Sequence, residues 1–229
     1  MGKVMNPIRI NRTTLSQMVW QRIFEHSAAL AGHRETLLEF TQECDTLPTR
    51  VQTGSINAES VWTLYSIAAY FKPAVIAEVG TYVGRSTVAL AEGQRDSNVS
   101  SPVIYTCDAQ NNCDLSRLTA FATGETELEQ FPTLTSTHMF RTLIDRKVKL
   151  DLLHLDGRLV EPDFPLIKAL VTDDTIITLD DFEFDQKGQD NARNLLITLS
   201  KLNYQVVYPA PGTTTAMLLP RKLLHFTEQ

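Results

Sequence analysis

The sequence predicts an α/β fold: a mostly parallel sheet covered by helices on both faces, with an antiparallel pair at one edge and a helical extension at the N-terminus. Three observations predict it. From Val75 onward, short apolar runs alternate with helical patterns, as strand–helix–strand units require. The first apolar run leads through Gly80 and Gly84 into an Ala-rich segment, a strand–turn–helix junction. The last two apolar runs face each other across Pro209-Ala210-Pro211-Gly212 and read as an antiparallel edge.

Residues from about Thr14 to Glu43 read as helix, with Leu15, Val19, Ile23, Leu37 and Leu38 at helical spacing and Gly32 as the break between two helices. Asn57 can cap a third helix carrying Val61, Leu64, Ile67 and Phe71, and Pro73 ends it. Strand one is Val75 to Val79, and strand two Val103 to Cys107. A third strand is placed near Leu134 to Ser136, before a helix through Met139 to Ile144. Strand four, Leu150 to Leu155, precedes a helix from about Phe164 to Val171. Strand five is Thr175 to Leu179, the next helix spans roughly Asp190 to Lys201, and the final strands are Gln205 to Tyr208 and Thr215 to Leu219. The expected organisation is a helical extension over 1–53 and one ligand-binding domain over 54–229.

Composition narrows the class. A hydrophobic fraction of 43% is enough for a sizeable core, and 27 acids against 21 bases argue against a nucleic-acid scaffold. No apolar run reaches membrane-spanning length, and Cys44, Cys107 and Cys113 lack both a disulfide framework and zinc-site spacing. A soluble cytoplasmic protein is expected, with the N-terminal helices a possible homo-oligomer face.

The chemistry concentrates in Glu78-Val79-Gly80-Thr81-Tyr82-Val83-Gly84-Arg85-Ser86-Thr87. Gly80 permits dihedrals other residues avoid, Gly84 permits close approach, and Ser86 and Thr87 can cap the new helix. Tyr82 replaces the second glycine of the dinucleotide fingerprint. The pattern E-x-G-x-x-x-G resembles the first motif of class I S-adenosylmethionine-dependent methyltransferases. With Tyr between the glycines it is similar to the catechol and caffeoyl-coenzyme A O-methyltransferase branch. The resemblance runs in order from Gly54 to Pro220 and implies a Rossmann-like seven-stranded sheet with the last strand reversed. It also implies S-adenosylmethionine as cofactor, held by Glu78, Gly80, Thr81, Tyr82, Gly84, Ser86, Asp108 and Asp156. Asp108, at the end of strand two, is the expected ribose ligand, and Gly54-Ser55-Ile56 resembles a segment that closes over the cofactor.

Asp156 follows strand four, and Asp180-Asp181 follows strand five. Three converging carboxylates repel unless a cation or protons intervene, and Mg²⁺ suits such oxygen ligands. In the metal-dependent enzymes that this chain resembles, these places hold the metal, so Asp156, Asp180 and Asp181 are the expected metal ligands. The catechol-type enzymes carry Lys three residues after the first Asp, where this chain has Leu159. The candidates for catalytic work are then Asp156, His154 on the same strand face, and His138 near the third strand; none is assigned as base. The expected reaction is methylation of a small-molecule hydroxyl. The alternatives are a nucleotide- or NAD-binding enzyme, or a non-catalytic cofactor-binding protein retaining the fold.

Overall fold

A computed structural model describes residues 12–29, 34–44, 55–109, 126–132, 135–183 and 186–227. The helices are α1 (Arg12–Ala28), α2 (Arg34–Glu43), α3 (Ala58–Phe71), α4 (Arg85–Asp96), α5 (Ser136–Asp145), α6 (Asp163–Leu170) and α7 (Gln186–Thr198). The strands are β1 (Val75–Val79), β2 (Val103–Asp108), β3 (Glu127–Pro132), β4 (Leu150–Leu155), β5 (Val171–Leu179), β6 (Tyr204–Val207) and β7 (Ala216–Pro220). They form one seven-stranded sheet in the order β3-β2-β1-β4-β5-β7-β6. Pairing is parallel from β3 to β5, and β7 runs antiparallel to both β5 and β6.

Two-residue alternation sorts the strand side chains. Ile76, Ile104, Leu152, Ile176 and Met217 face α1, α3 and α4. Ala77, Leu153, Ile177 and Leu218 face α5, α6 and α7. Val19, Trp20 and Ile23 of α1 and Leu37 of α2 share the first of these cores. Trp20 also donates its indole N–H to the Tyr208 carbonyl at 2.6 Å. These apolar residues of α1 and α2 are thus used within the chain itself.

Several boundaries differ from expectation for physical reasons. Helix α3 begins at its Asn57 cap as read, the side chain accepting from the Ser60 N–H at 2.7 Å. It ends in a left-handed Lys72 just before Pro73. The third strand is Glu127–Pro132, not Leu134 to Ser136; Ser136 opens α5 instead. As an edge strand with Glu127 exposed and Glu129 half-exposed, β3 lacks the apolar run that marks an internal strand. Strand β5 starts at Val171, directly where α6 ends. Helix α7 starts at Gln186, Gly188 in its first turn having hidden it from a propensity reading.

Candidate functional site

The site lies at the carboxyl ends of β1, β2, β4 and β5, where an open α/β sheet places its ligands. It rests on a polar row across the sheet. Thr106, Glu78, His154 and Thr178 occupy matching register positions on β2, β1, β4 and β5. Glu78 is completely buried. Its carboxylate accepts from Ser86 Oγ at 2.6 Å, Thr87 Oγ1 at 2.5 Å and Thr106 Oγ1 at 2.7 Å. Three hydroxyl donors offset the desolvation of that buried charge. This changes the reading of Ser86 and Thr87: their hydroxyls turn inward to Glu78, and the N-cap of α4 is Gly84, without a side-chain cap.

Gly80 takes the dihedrals expected of it, with an added reason. Gly80 has φ +102°, and a Cβ there would meet Gly157 N at 2.9 Å and Asp156 C at 3.0 Å. The turns after β1 and β4 touch through their backbones, since the Val79 carbonyl accepts from both Asp156 N (2.9 Å) and Gly157 N (2.7 Å). Tyr82 sits at φ +45° and Gly84 at φ +86°, completing the reversal into α4. The Tyr82 N–H donates to Asp108 Oδ2 at 2.8 Å, so the acid ending β2 is fixed beside the turn. The Thr81 and Thr106 hydroxyls lie 2.5 Å apart.

A narrow crevice runs over this turn, lined by Ser55, Ile56, Thr81, Tyr82, Ser86 and Asp156 among others. It brings Ser55 and Ile56 against the first motif, while Gly54 lies outside the described residues.

Asp156, Asp180 and Asp181 each bring a carboxylate oxygen within 4.8 Å of the others. The convergence is as expected, but the expected lack of a basic partner is not met. Lys187, in the first turn of α7, donates to Asp156 Oδ1 at 2.8 Å, the Asp156 carbonyl at 2.7 Å and Asp181 Oδ2 at 2.7 Å. Asp180 is held separately, by Thr214 Oγ1 at 2.7 Å and Thr215 Oγ1 at 3.0 Å. Burial, helped by the Asp180 and Asp181 charges, raises the Asp156 carboxyl to about 7 against the opposing pull of the Lys187 charge. Burial works against the Lys187 ammonium, but the Asp156 and Asp181 carboxylates together outweigh it and raise its pKa. In this arrangement the trio fits a metal ion only after Lys187 has left.

The remaining candidates separate. His154 is fully buried, its Nδ1 2.9 Å from Thr178 Oγ1, and burial lowers its pKa so the ring is neutral. His138 is exposed on the first turn of α5. Leu159 is buried, its N–H bonded to Asn191 Oδ1 at 3.3 Å, and Arg158 is exposed. Phe182 is buried behind the Asp180-Asp181 turn.

Sequence reasoning missed the whole inner face of α7. Asn191 donates to the Gly157 carbonyl at 3.1 Å, and Gly188 has no room for a side chain: a Cβ would meet Phe182 Cα at 2.7 Å. Lys187-Gly188 and Asn191, one turn apart and shortly after the acid pair, are the signal that could have found it.

Sheet order, the reversed β7 and a site at the carboxyl ends of β1 and β4 define a Rossmann-like methyltransferase fold. The model of a family described as a methyltransferase domain matches residues 77–182, from β1 through the Asp180–Phe182 turn. The resemblance to class I S-adenosylmethionine-dependent methyltransferases thus holds for the family model and for the fold. Among solved structures, the chain is similar to the methyltransferase PaMTH1 of Podospora anserina bound to S-adenosylhomocysteine. Identity is 17%, over 85% of this chain and 95% of that one, with a TM-score of 0.50. It is similar to an O-methyltransferase of Bacillus cereus in complex with S-adenosylhomocysteine (15% identity, 82% and 90% covered, TM-score 0.53). The same holds for the O-methyltransferase TomG of Streptomyces achromogenes, of tomaymycin synthesis, with S-adenosylmethionine bound (17%, 81% and 88%, 0.53). No curated protein matches the sequence. Among the described residues, no helix is long and apolar enough to cross a membrane.

Proposed function

We propose that this chain is an S-adenosylmethionine-dependent methyltransferase acting on a hydroxyl of a small-molecule acceptor. The observation that carries the reading is the crevice over the Gly80–Gly84 turn, with Asp108 fixed at its side by the Tyr82 N–H. A carboxylate there can accept from both hydroxyls of a ribose, and Gly80 leaves room for close backbone approach. The family match over this same segment supports it, as do the O-methyltransferases of similar fold.

When bound, the cofactor supplies an electrophilic methyl group on a sulfonium. The chain's task is then alignment, because methyl transfer gains most from holding acceptor oxygen and methyl in line. Thr81, Tyr82 and Asp156 line the crevice. Position 159 offers no proton acceptor, and neither His154 nor His138 is placed to serve as one. We place the protein in a reducing cytoplasm, a reading that the buried Cys107 thiol supports.

The test is calorimetric titration with S-adenosylhomocysteine of wild type and Asp108→Ala. Saturable micromolar-range binding that the variant loses is the expected result. Absence of binding to a folded wild type would sink the reading.

A further inference from the structure

The carboxylate trio already contains its cation. We propose that the Lys187 ammonium is the resident counter-charge of Asp156, Asp180 and Asp181, so the native chain has no divalent-metal site there, and that removing it creates one. An ammonium has three N–H donors. Lys187 uses all three, on two oxygens of Asp156 and one of Asp181. Two of these acceptors, Asp156 Oδ1 and Asp181 Oδ2, are carboxylate oxygens that a metal ion bound by the trio would need, so ammonium and metal compete for them. Asp180 is committed too, accepting from the hydroxyls of Thr214 and Thr215.

Lys187 is not a surface side chain that has folded over the site. Its side chain is 15% exposed, and its helix is anchored directly after it. Gly188 packs against the backbone of Asp180 and Phe182, a contact that no larger residue fits. One turn on, Asn191 holds the Gly157 carbonyl and the Leu159 N–H. Helix α7 therefore ties the turn after β4 to the turn after β5, with Lys187 in the middle. Mg²⁺ demands near-octahedral oxygens and dehydrates reluctantly, so a saturated and anchored ammonium is a strong competitor. Lys187 is thus a positioning residue: it sets where Asp156 stands at the crevice without a donor left for substrate.

The inference does not depend on methyl transfer, because it is read by metal binding alone. Mn²⁺ is titrated into wild type, Lys187→Met, Lys187→Gln and Lys187→Arg by calorimetry and by the paramagnetic resonance of free Mn²⁺, with circular dichroism reporting the fold. Wild type and Lys187→Arg are expected to show no saturable site tighter than about 1 mM, the weak end of protein sites for such ions. Lys187→Met and Lys187→Gln, which keep the bulk and lose the charge, should gain one, tightening by roughly tenfold or more. Saturable sub-millimolar binding in wild type that Asp156→Asn abolishes would overturn the proposal. So would folded Met and Gln variants that gain nothing. Were neither variant to fold, the wild-type titration decides alone: a saturable site refutes, its absence supports.

Discussion

Glu78 and Asp108 are both acids at the ends of strands, yet the structure gives them different work. Glu78 is wrapped by three hydroxyls beneath the turn and shapes it from below. Asp108 faces the turn from the side and is half-buried. Replacing Asp108 by Ala is therefore expected to leave the melting temperature nearly unchanged while removing cofactor affinity. Replacing Glu78 by Ala strands three hydroxyls and should lower stability by about 3 kcal/mol or more in a denaturant melt. A Gly80→Ala change fails for another reason. It forces a side chain to φ +102° and into the Asp156-Gly157 backbone, a cost of at least about 1–3 kcal/mol. Its effect should be seen in urea midpoint and in cofactor affinity together.

Among the elements, the most informative junctions lie between helices and the turns they hold. Asp163, fully buried at the start of α6, accepts from Ser136 Oγ, Thr137 Oγ1 and the Val160 N–H. It fastens the start of α5 to the start of α6. Asp163→Ala is expected to cost about 3 kcal/mol by leaving buried donors unpaired, with hydrogen exchange in α5 rising ahead of the sheet; an unchanged urea midpoint would refute this. This scale also shows what could be read in advance. The β1–α4 junction was legible because Gly80 and Gly84 announce it locally. β4 and β5 were legible because internal parallel strands are continuous apolar runs. β3 was misplaced because an edge strand of Glu-Leu-Glu-Gln carries no such run. Lys187 was invisible for a different reason: a lysine between polar residues looks solvated until tertiary packing brings α7 over the two turns.

At the scale of the whole molecule, helices α1 and α2 are part of the main core. Val19 and Ile23 are fully buried with Ile76 and Leu152, so deleting residues 1–54 uncovers the outer face of α3. The truncated chain is expected to aggregate or lose cooperative unfolding, as light scattering and calorimetry would show; a monomeric, cooperatively melting fragment would refute it. Titration gives a second global prediction. Burial pushes the Cys107 thiol up to about 12, reinforced by the Glu78, Asp108 and Asp163 charges. Burial likewise raises the Tyr65 and Tyr204 phenols. Each group has a folded pKa above its unfolded one, so its contribution is complete below the unfolded value, about 8.5 for Cys and about 10 for Tyr. The contribution is lost as pH climbs through the folded values. Melting temperature should therefore fall above about pH 8.5, and Cys107→Ala should flatten the first part of that fall. The same slope in the variant would show that Cys107 is not its source.

Strand β7 has a consequence for how the protein is made. It lies between β5 and β6 although it comes last in sequence among the described strands. The segment leading into it supplies the Thr214 and Thr215 hydroxyls that hold Asp180, and the Thr214 carbonyl that accepts from the Phe182 N–H. On a ribosome, the nascent chain exposes the bare edge of β5 and an unpartnered Asp180 until the β7 segment has emerged. Ligand binding thus reports that synthesis has passed β7: a chain stopped short of Thr214 has every motif of the site and lacks the hydroxyls that hold Asp180.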